Sequence, residues 1–269
     1  PYGMYGERPT ISATRATMDI PDIKQELIID NTIVNSDRSI NCVKISIEPV
    51  WNIPEIAKRL NVDETLFREN LFSVYRVPEI MTTNLFLPPM GGSTIYIIGN
   101  LADDTVTTSR VHDECNGSDV FGTDICTCRP YLTFSIAEAV RTAQAGGRGI
   151  ICYNRKEGRS LGETIKFLVY NNRSTQLGGD RADTYFDQTT EIAGVPDARM
   201  QELMPDVLVW LGISRLDNWI SMSNEKSDAI RNAGIEIVHQ YEIPDDMIPK
   251  RAHIEIDAKI KAGYFTNSK

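Results

Sequence analysis

No stretch of the sequence approaches the roughly 18 consecutive apolar residues of a membrane span, and no charged start followed by an apolar middle marks a leader. A soluble, cytoplasmic chain with no membrane partner is therefore expected. Internal repeats and low-complexity runs are also missing, which argues against stacked-repeat and linker-like architectures. Positive charge is short: 28 Lys and Arg stand against 37 Asp and Glu, a formal net charge of −9. Nucleic-acid binding needs a basic footprint, so no nucleic-acid partner is expected, although a local basic pocket for one nucleotide is compatible with this balance. Histidine is scarcer still, at three, and His239 and His253 have no metal-ligand spacing. Cysteine stops at five, and its clustering suggests a reducing compartment rather than a disulfide framework. Cys42 and Cys152 lie in apolar runs and read as buried spectators.

The 269 residues, 41% hydrophobic and 24% charged, suffice for one large core or two modest ones. Residues 1–20 are polar and carry Pro1, Gly3, Gly6 and Pro9, and read as an arm with little structure. Val43 to Ile47 alternates apolar and polar, as a strand does. Asn52 with Pro54 opens a helix, and Asn61 to Glu64 starts another with Leu66, Phe67, Leu71 and Phe72 at helical spacing. The acidic balance favours a packing module over a DNA-reading pair. A turn cluster, Phe86 to Gly92, suggests a boundary, and a strand follows over Thr94 to Ile98. A helix is expected from Tyr131 to Gln144, ended by Gly146-Gly147, and a buried strand from Gly149 to Tyr153. Further helices are expected over 163–171, 199–211 and 226–232, with strands over 216–222 and 235–238 and a loop-rich stretch over 172–198. This order of elements implies an α/β fold with a largely parallel sheet.

The window Arg110 to Cys128 organises the chain. Cys115, Cys126 and Cys128 are spaced C-x10-C-x-C. Thiolate is a strong, soft zinc ligand, and three protein ligands leave a tetrahedral zinc one open position, the catalytic rather than the structural pattern. Cys126 and Cys128 are too close for an easy disulfide, and alternation points both sulfurs one way. Three further loops carry polar chemistry. Asn154 to Arg159 follows a strand, Ser221 to Lys226 follows a strand and opens a helix, and Pro196 to Arg199 places a carboxylate beside a guanidinium. Parallel sheets bind ligands at the carboxyl ends of their strands, and a helix start with hydroxyls and a Lys suits an anion.

Taken together, these motifs resemble the GTP cyclohydrolase II family over about residues 94–265. The matching pieces are Arg110 to Cys128, Gly147-Arg148-Gly149, Glu157-Gly158-Arg159, Tyr170, Asp197 with Arg199, and Lys226. The resemblance implies that fold, a mostly parallel mixed sheet with flanking helices, in a catalytic domain over 94–269. Residues 1–93 would form a smaller α+β extension with a helical module. It implies one zinc per chain at the three cysteines, Asp197 as proton acceptor, and Arg199 as the group that attacks or holds the alpha phosphorus. Tyr170, Thr184, Ser221 and Lys226 would line the nucleotide site together with Arg110, Val111, His112, Asp113, Glu114 and the Glu157-Gly158-Arg159 loop. A homodimer is expected.

Two departures bear on the base. After the last cysteine the family has Gly-x-Gln-Leu, where the Gln helps hold guanine; here Arg129-Pro130-Tyr131-Leu132 puts Tyr131 in its place. The segment before the core, with Trp51-Asn52-Ile53-Pro54 and Phe86 to Gly92, looks like the uracil-catabolism branch. The expected activity is hydrolytic opening of the uracil ring of a uridine nucleotide, with UTP favoured and Mg2+ accompanying the polyphosphate. The alternatives are a GTP cyclohydrolase II of flavin synthesis and a non-catalytic nucleotide sensor. Glu114, Tyr170 and Asp197 are the acid–base candidates. Arg199 and Lys226 imply phosphates on the substrate, because buried cations without partners are costly. His112 suits a structural role better than zinc ligation.

Overall fold

A computed structural model describes residues 10–86, 91–102, 105–177 and 185–266. The backbone is organised by one seven-stranded mixed sheet in the order β1-β2-β5-β7-β6-β8-β9. Its strands are β1 (Ile11–Met18), β2 (Ile40–Ile47), β5 (Ser93–Gly99), β6 (Thr107–Asp113), β7 (Arg148–Asn154), β8 (Arg215–Ile220) and β9 (Glu236–Tyr241). The four strands β7, β6, β8 and β9 run parallel, and β1, β2 and β5 extend that set by antiparallel pairing. A mixed sheet flanked by helices was the architecture expected from the sequence.

The apolar residues cover both faces. One face packs Trp219, Ile150, Ile95 and Val111 against Leu208 and Ile230 from α7 (Asp206–Trp210) and α8 (Asn224–Asn232). The other packs Ile98, Ile151 and Cys42 against Ile136 and Val140 of α4 (Cys128–Gln144), with Ile23 and Leu27 beside them. Burial on both faces explains why the central strands read as near-continuous apolar runs. Cys42 and Cys152 are buried core residues, as expected. Gly147-Arg148-Gly149 has a packing role. A Cβ on Gly149 would lie 2.2 Å from the Ala139 Cβ, and one on Gly147 would lie 2.5 Å from the Val106 carbonyl. The glycines let α4 approach β7 more closely than any side chain would permit.

Several expectations are corrected. The reading of residues 1–20 as an unstructured arm fails over β1, which makes an eight-residue antiparallel ladder with β2. Its side chains are mostly exposed, so no apolar alternation announced it. The segment before residue 93 therefore contributes two strands to the same sheet as the core. Its helical module is as read: Asn52 caps α1 (Ile53–Leu60) and Asp63 caps α2 (Glu64–Tyr75). Ile53, Ala57, Phe67 and Leu71 pack there with Ile80 and with Phe86 of β4 (Leu85–Phe86), which pairs with β3 (Trp51–Asn52). Met200 from the core joins that cluster.

The helix expected over 199–211 is in fact a short 3-10 turn, Gln201–Leu203, followed by α7. Pro205 has no N–H to continue a helix through that point, and it stands as the cap of α7. The stretch 172–198 is less loop-rich than expected. Helix α5 (Glu163–Thr175) runs past 171, and α6 (Tyr185–Ala193) follows. Also not foreseen were β6, whose Thr-Thr-Ser-Arg-Val-His-Asp composition is polar, and α9 (His253–Lys261). No described helix is long and apolar enough to cross a membrane.

Candidate active site

The carboxyl ends of β6, β7 and β8 open into one cleft of about 180 Å³. Strand β6 supplies Arg110 to Asp113, followed at once by Glu114 and Cys115. The loop after β7 supplies Lys156 to Arg159, and the loop after β8 supplies Ser221. This is where a parallel sheet can present side chains without disturbing its ladder.

The three cysteines converge. Their sulfurs all lie within 4.8 Å of one another, and Cys115 Sγ is 3.5 Å from Cys126 Sγ. A disulfide needs about 2.05 Å, whereas sulfurs sharing a tetrahedral zinc at about 2.3 Å sit about 3.8 Å apart. The donor set therefore fits a zinc ion with one position left for the cleft. Cys115 caps the short helix α3 (Asn116–Phe121), and Cys126 and Cys128 reach it from the start of α4. Hydrogen bonds from Cys115 and Cys128 hold the Cys126 thiol well below its usual range, and the same sharing pushes the other two up. Among the described residues this is the one group of three or more His, Cys, Asp or Glu side chains placed to hold a metal.

A second cluster centres on Asp113. Its Oδ2 lies 2.8 Å from both Arg199 Nη1 and Lys226 Nζ, and Lys226 also donates to the Val111 carbonyl at 3.0 Å. Arg199 Nε donates to both Asp197 oxygens at 2.9 Å, and Nη2 donates to Oδ2 as well. Asp113 and Lys226 are 12% and 8% exposed. Burial alone would raise the Asp113 carboxyl, but Lys226 and Arg199 hold it well below the carboxylate range. Burial brings Lys226 down to about 8 despite Asp113. Burial would likewise lower Arg199, but Asp197 and Asp113 keep it above its ordinary value. This overturns the reason given for substrate phosphates: Arg199 and Lys226 are buried, but both already have carboxylate partners. Spacing could not reveal that the last residue of β6 faces the start of α8. Asp197 lies against Arg199 and is not itself one of the cleft-lining residues.

His112 is structural in its bonding. Its Nδ1 accepts from Arg110 Nε at 3.2 Å, its Nε2 lies 3.1 Å from both Asp119 oxygens, and its ring stacks on Tyr153. Burial lowers its pKa, in keeping with a neutral ring that donates from Nε2. Asp119 also accepts from the Cys115 backbone N–H at 2.9 Å and from the Tyr153 hydroxyl at 2.7 Å. It therefore orients the first cysteine, and the sequence reading did not single it out.

Tyr131 is 4% exposed. Its hydroxyl accepts from the Ile243 N–H at 3.2 Å, and the Arg110 guanidinium lies 4.6 Å from its ring centre. One face of the ring is thus covered by Arg110, and the hydroxyl is engaged by the Ile243 backbone. Glu157 is engaged too: Oε2 accepts from the Asn116 N–H at 2.7 Å and Oε1 from Lys166 at 3.1 Å. Gly158 and Arg159 adopt left-handed φ values of +57° and +59°, folding the loop back on the Asp197 segment. There the Arg159 carbonyl accepts from the Ala198 N–H at 3.0 Å, and Arg159 Nη1 donates to the Pro196 carbonyl at 3.1 Å. Ser221 Oγ accepts from the Ser223 N–H. Tyr170 lines the cleft beside Lys166 and Arg173. Thr184 lies outside the described residues. Lys166 was also not foreseen: its Nζ lies 2.7 Å from Cys115 Sγ.

The GTP cyclohydrolase II family model matches residues 92–242, and a GTP cyclohydrolase N-terminal model matches residues 4–74. The chain belongs to the GTP cyclohydrolase II family. It is 52% identical to the protein named Putative GTP cyclohydrolase URC1 of Lachancea kluyveri and 50% identical to Uracil-regulated protein 1 of Schizosaccharomyces pombe, over 97% and 98% of its own length. It spans only 62% and 63% of those two proteins. Against GTP cyclohydrolase-2 of Neisseria gonorrhoeae the identity is 33%, over 53% of this chain and 67% of the relative. That match covers only part of the chain, whereas the uracil-named relatives match the β1–β2 and helical segments too. Cys115, Cys126 and Cys128, the cluster that could hold a metal, lie within the matched residues.

Proposed function

We propose that this chain catalyses zinc-dependent hydrolytic opening of a nucleotide base, the uracil ring of a uridine nucleotide ahead of guanine, in pyrimidine catabolism. Water adds to a carbonyl carbon of the ring, the adjacent C–N bond breaks, and the released nitrogen takes up a proton. The observation that carries this reading is the three-cysteine cluster opening on a cation-rich cleft at the strand ends. Zinc, when bound there, would supply Lewis acidity toward water.

The chain's own residues supply the rest. Burial, together with the Glu157 carboxylate, raises Glu114 above its ordinary value, in the direction that favours proton donation by a carboxyl. Glu114 follows β6 directly and lies next to Cys115 in the chain, so it reaches the same end of the cleft. Arg199 is held in a fork by Asp197 and stays protonated, so its role is to hold an anion or orient Asp197 rather than to attack phosphorus. The base preference is supported by Tyr131, whose single hydroxyl is engaged at Ile243 and offers no paired amide contact to guanine. The name of the Schizosaccharomyces pombe relative, Uracil-regulated protein 1, points the same way, whereas the Lachancea kluyveri relative is named for GTP cyclohydrolase and keeps guanine as the rival base.

The test is incubation of the zinc-loaded chain with UTP, UMP, uridine and GTP, with mass analysis of products. Ring-opened uridine products with GTP left intact support the proposal. Efficient release of formate and pyrophosphate from GTP replaces it with GTP cyclohydrolase II activity, for which the partial match to GTP cyclohydrolase-2 is the supporting observation.

A further inference from the structure

We propose that Lys156 is the phosphate-binding residue of this cleft, and that Arg199 and Lys226 act first as counter-ions of Asp113. The inference rests on the reading that the substrate is a nucleotide, and it assigns its anionic end. Most cations lining the cleft already face a carboxylate. Arg199 and Lys226 share Asp113 at 2.8 Å, Lys166 meets Glu157 at 3.1 Å, and Lys259 meets Glu255 at 2.6 Å. Arg159 is tied back to the Asp197 segment through the Pro196 carbonyl at 3.1 Å. Arg110 and Lys156 differ: among the described residues neither has an ion pair, and their hydrogen bonds go to neutral acceptors.

Of these two, Arg110 is fixed on three sides. His112 Nδ1 accepts from its Nε, the Ile220 carbonyl accepts from its Nη1 at 3.0 Å, and Tyr131 covers its face. Lys156 is held once, by the Arg199 carbonyl at 2.8 Å. An ammonium carries three N–H donors, so two remain for a ligand. Burial and the Arg199 charge lower the Lys156 pKa, although Asp113 and Asp197 act against them, so its charge is only partly balanced where it stands. A cation drawn out of water with no direct ion pair is costly unless an anion completes the site. A phosphate arriving there meets a compact point charge with spare donors, a common mode of phosphate contact by lysine. It also arrives beside the Asp113 cluster, since Lys156 binds the backbone of Arg199 itself. Lys156 stands directly after Arg155 in the loop that leaves β7, and its N–H donates to the Asn154 carbonyl at 2.9 Å, so its backbone is set by the strand end.

The experiment is calorimetric titration of the zinc-loaded full chain with uridine, UMP, UTP and inorganic pyrophosphate, for wild type, Lys156→Met and Lys156→Arg. Lys156→Met should weaken UMP, UTP and pyrophosphate roughly 10- to 100-fold, the weight of one charge-assisted hydrogen bond, and leave uridine within about twofold. Lys156→Arg should recover most of the loss. Equal weakening of uridine and UMP, or unchanged nucleotide affinity in Lys156→Met, overturns the assignment. So does a wild type that takes up none of the three anions. If pyrophosphate binds through Lys156 but no uridine compound binds, the assignment stands and the uridine reading falls.

Discussion

Replacing Asp113 with Asn keeps the shape of the side chain and removes its charge. In the native chain that carboxylate lies 2.8 Å from Arg199 Nη1 and 2.8 Å from Lys226 Nζ, and all three groups are largely buried. The substitution leaves two cations sharing a dry site, with Asp197 partnering only the first. Breaking a buried pair by removing one partner costs about 3–5 kcal/mol, because the remaining charge stays uncompensated. At about 2–4 °C per kcal/mol for a chain of this size, thermal unfolding should fall by roughly 10 °C. Adding Lys226→Met to Asp113→Asn removes one of the stranded cations, so the double variant should be more stable than Asp113→Asn alone, by on the order of 1–3 kcal/mol. Inorganic pyrophosphate should raise the melting temperature of Asp113→Asn more than that of the wild type, since an anion restores the missing charge.

The pH dependence has a definite sign. The folded carboxyl sits far below its ordinary 3.8, so its contribution is fully present above that value and is lost as pH falls through the folded value. The gap between wild type and Asp113→Asn should therefore be flat across neutral pH and narrow below about pH 4. The assay is far-UV circular dichroism on heating, with and without pyrophosphate. An Asp113→Asn chain that melts within about 1 °C of wild type would refute the reasoning.

Further outcomes follow from other parts of the molecule. Purified chain should carry one zinc by elemental analysis, and Cys126→Ser should lose the metal together with activity; full activity without metal would remove the zinc reading. Gly149→Ala should destabilise by about 3 kcal/mol in urea unfolding, because the new Cβ meets Ala139 at 2.2 Å and α4 must lift off β7. For Lys226, whose folded value is lowered from 10.5 to about 8, the contribution is fully present above 10.5 and is lost as pH falls through 8. The stability difference between wild type and Lys226→Met should accordingly grow by up to about 3 kcal/mol between pH 8 and 10.5, and a flat difference would show that Lys226 is not buried as described.

The thiol set that could hold a metal, and much of the frame, were legible along the chain. Thiolate softness and the C-x10-C-x-C spacing are chemical facts that need no coordinates, and the sulfurs do converge. The capping residues Asn52 and Asp63 act within their own helices, so their local signals were sufficient. The apolar strands β5 and β7 were legible because burial on both faces demands continuous hydrophobicity. Strand β6 was not, because it buries polar side chains, several of them satisfied across the fold. Thr108 meets Thr142 and Asn218, and Thr107 meets Arg148 and Asp217, so composition gave no apolar signal. Strand β1 was hidden for the opposite reason: its bonds are in the backbone and its side chains are mostly in water. Only the tertiary structure decided which charges meet. Asp113, Lys156, Arg199 and Lys226 come from four separate segments, and their pairing depends on the angles at which β6, β7 and α8 enter the cleft. Long-range packing, such as that of α4 on β7 where Gly149 admits Ala139, holds the frame that brings them together, and no spacing along the chain records it.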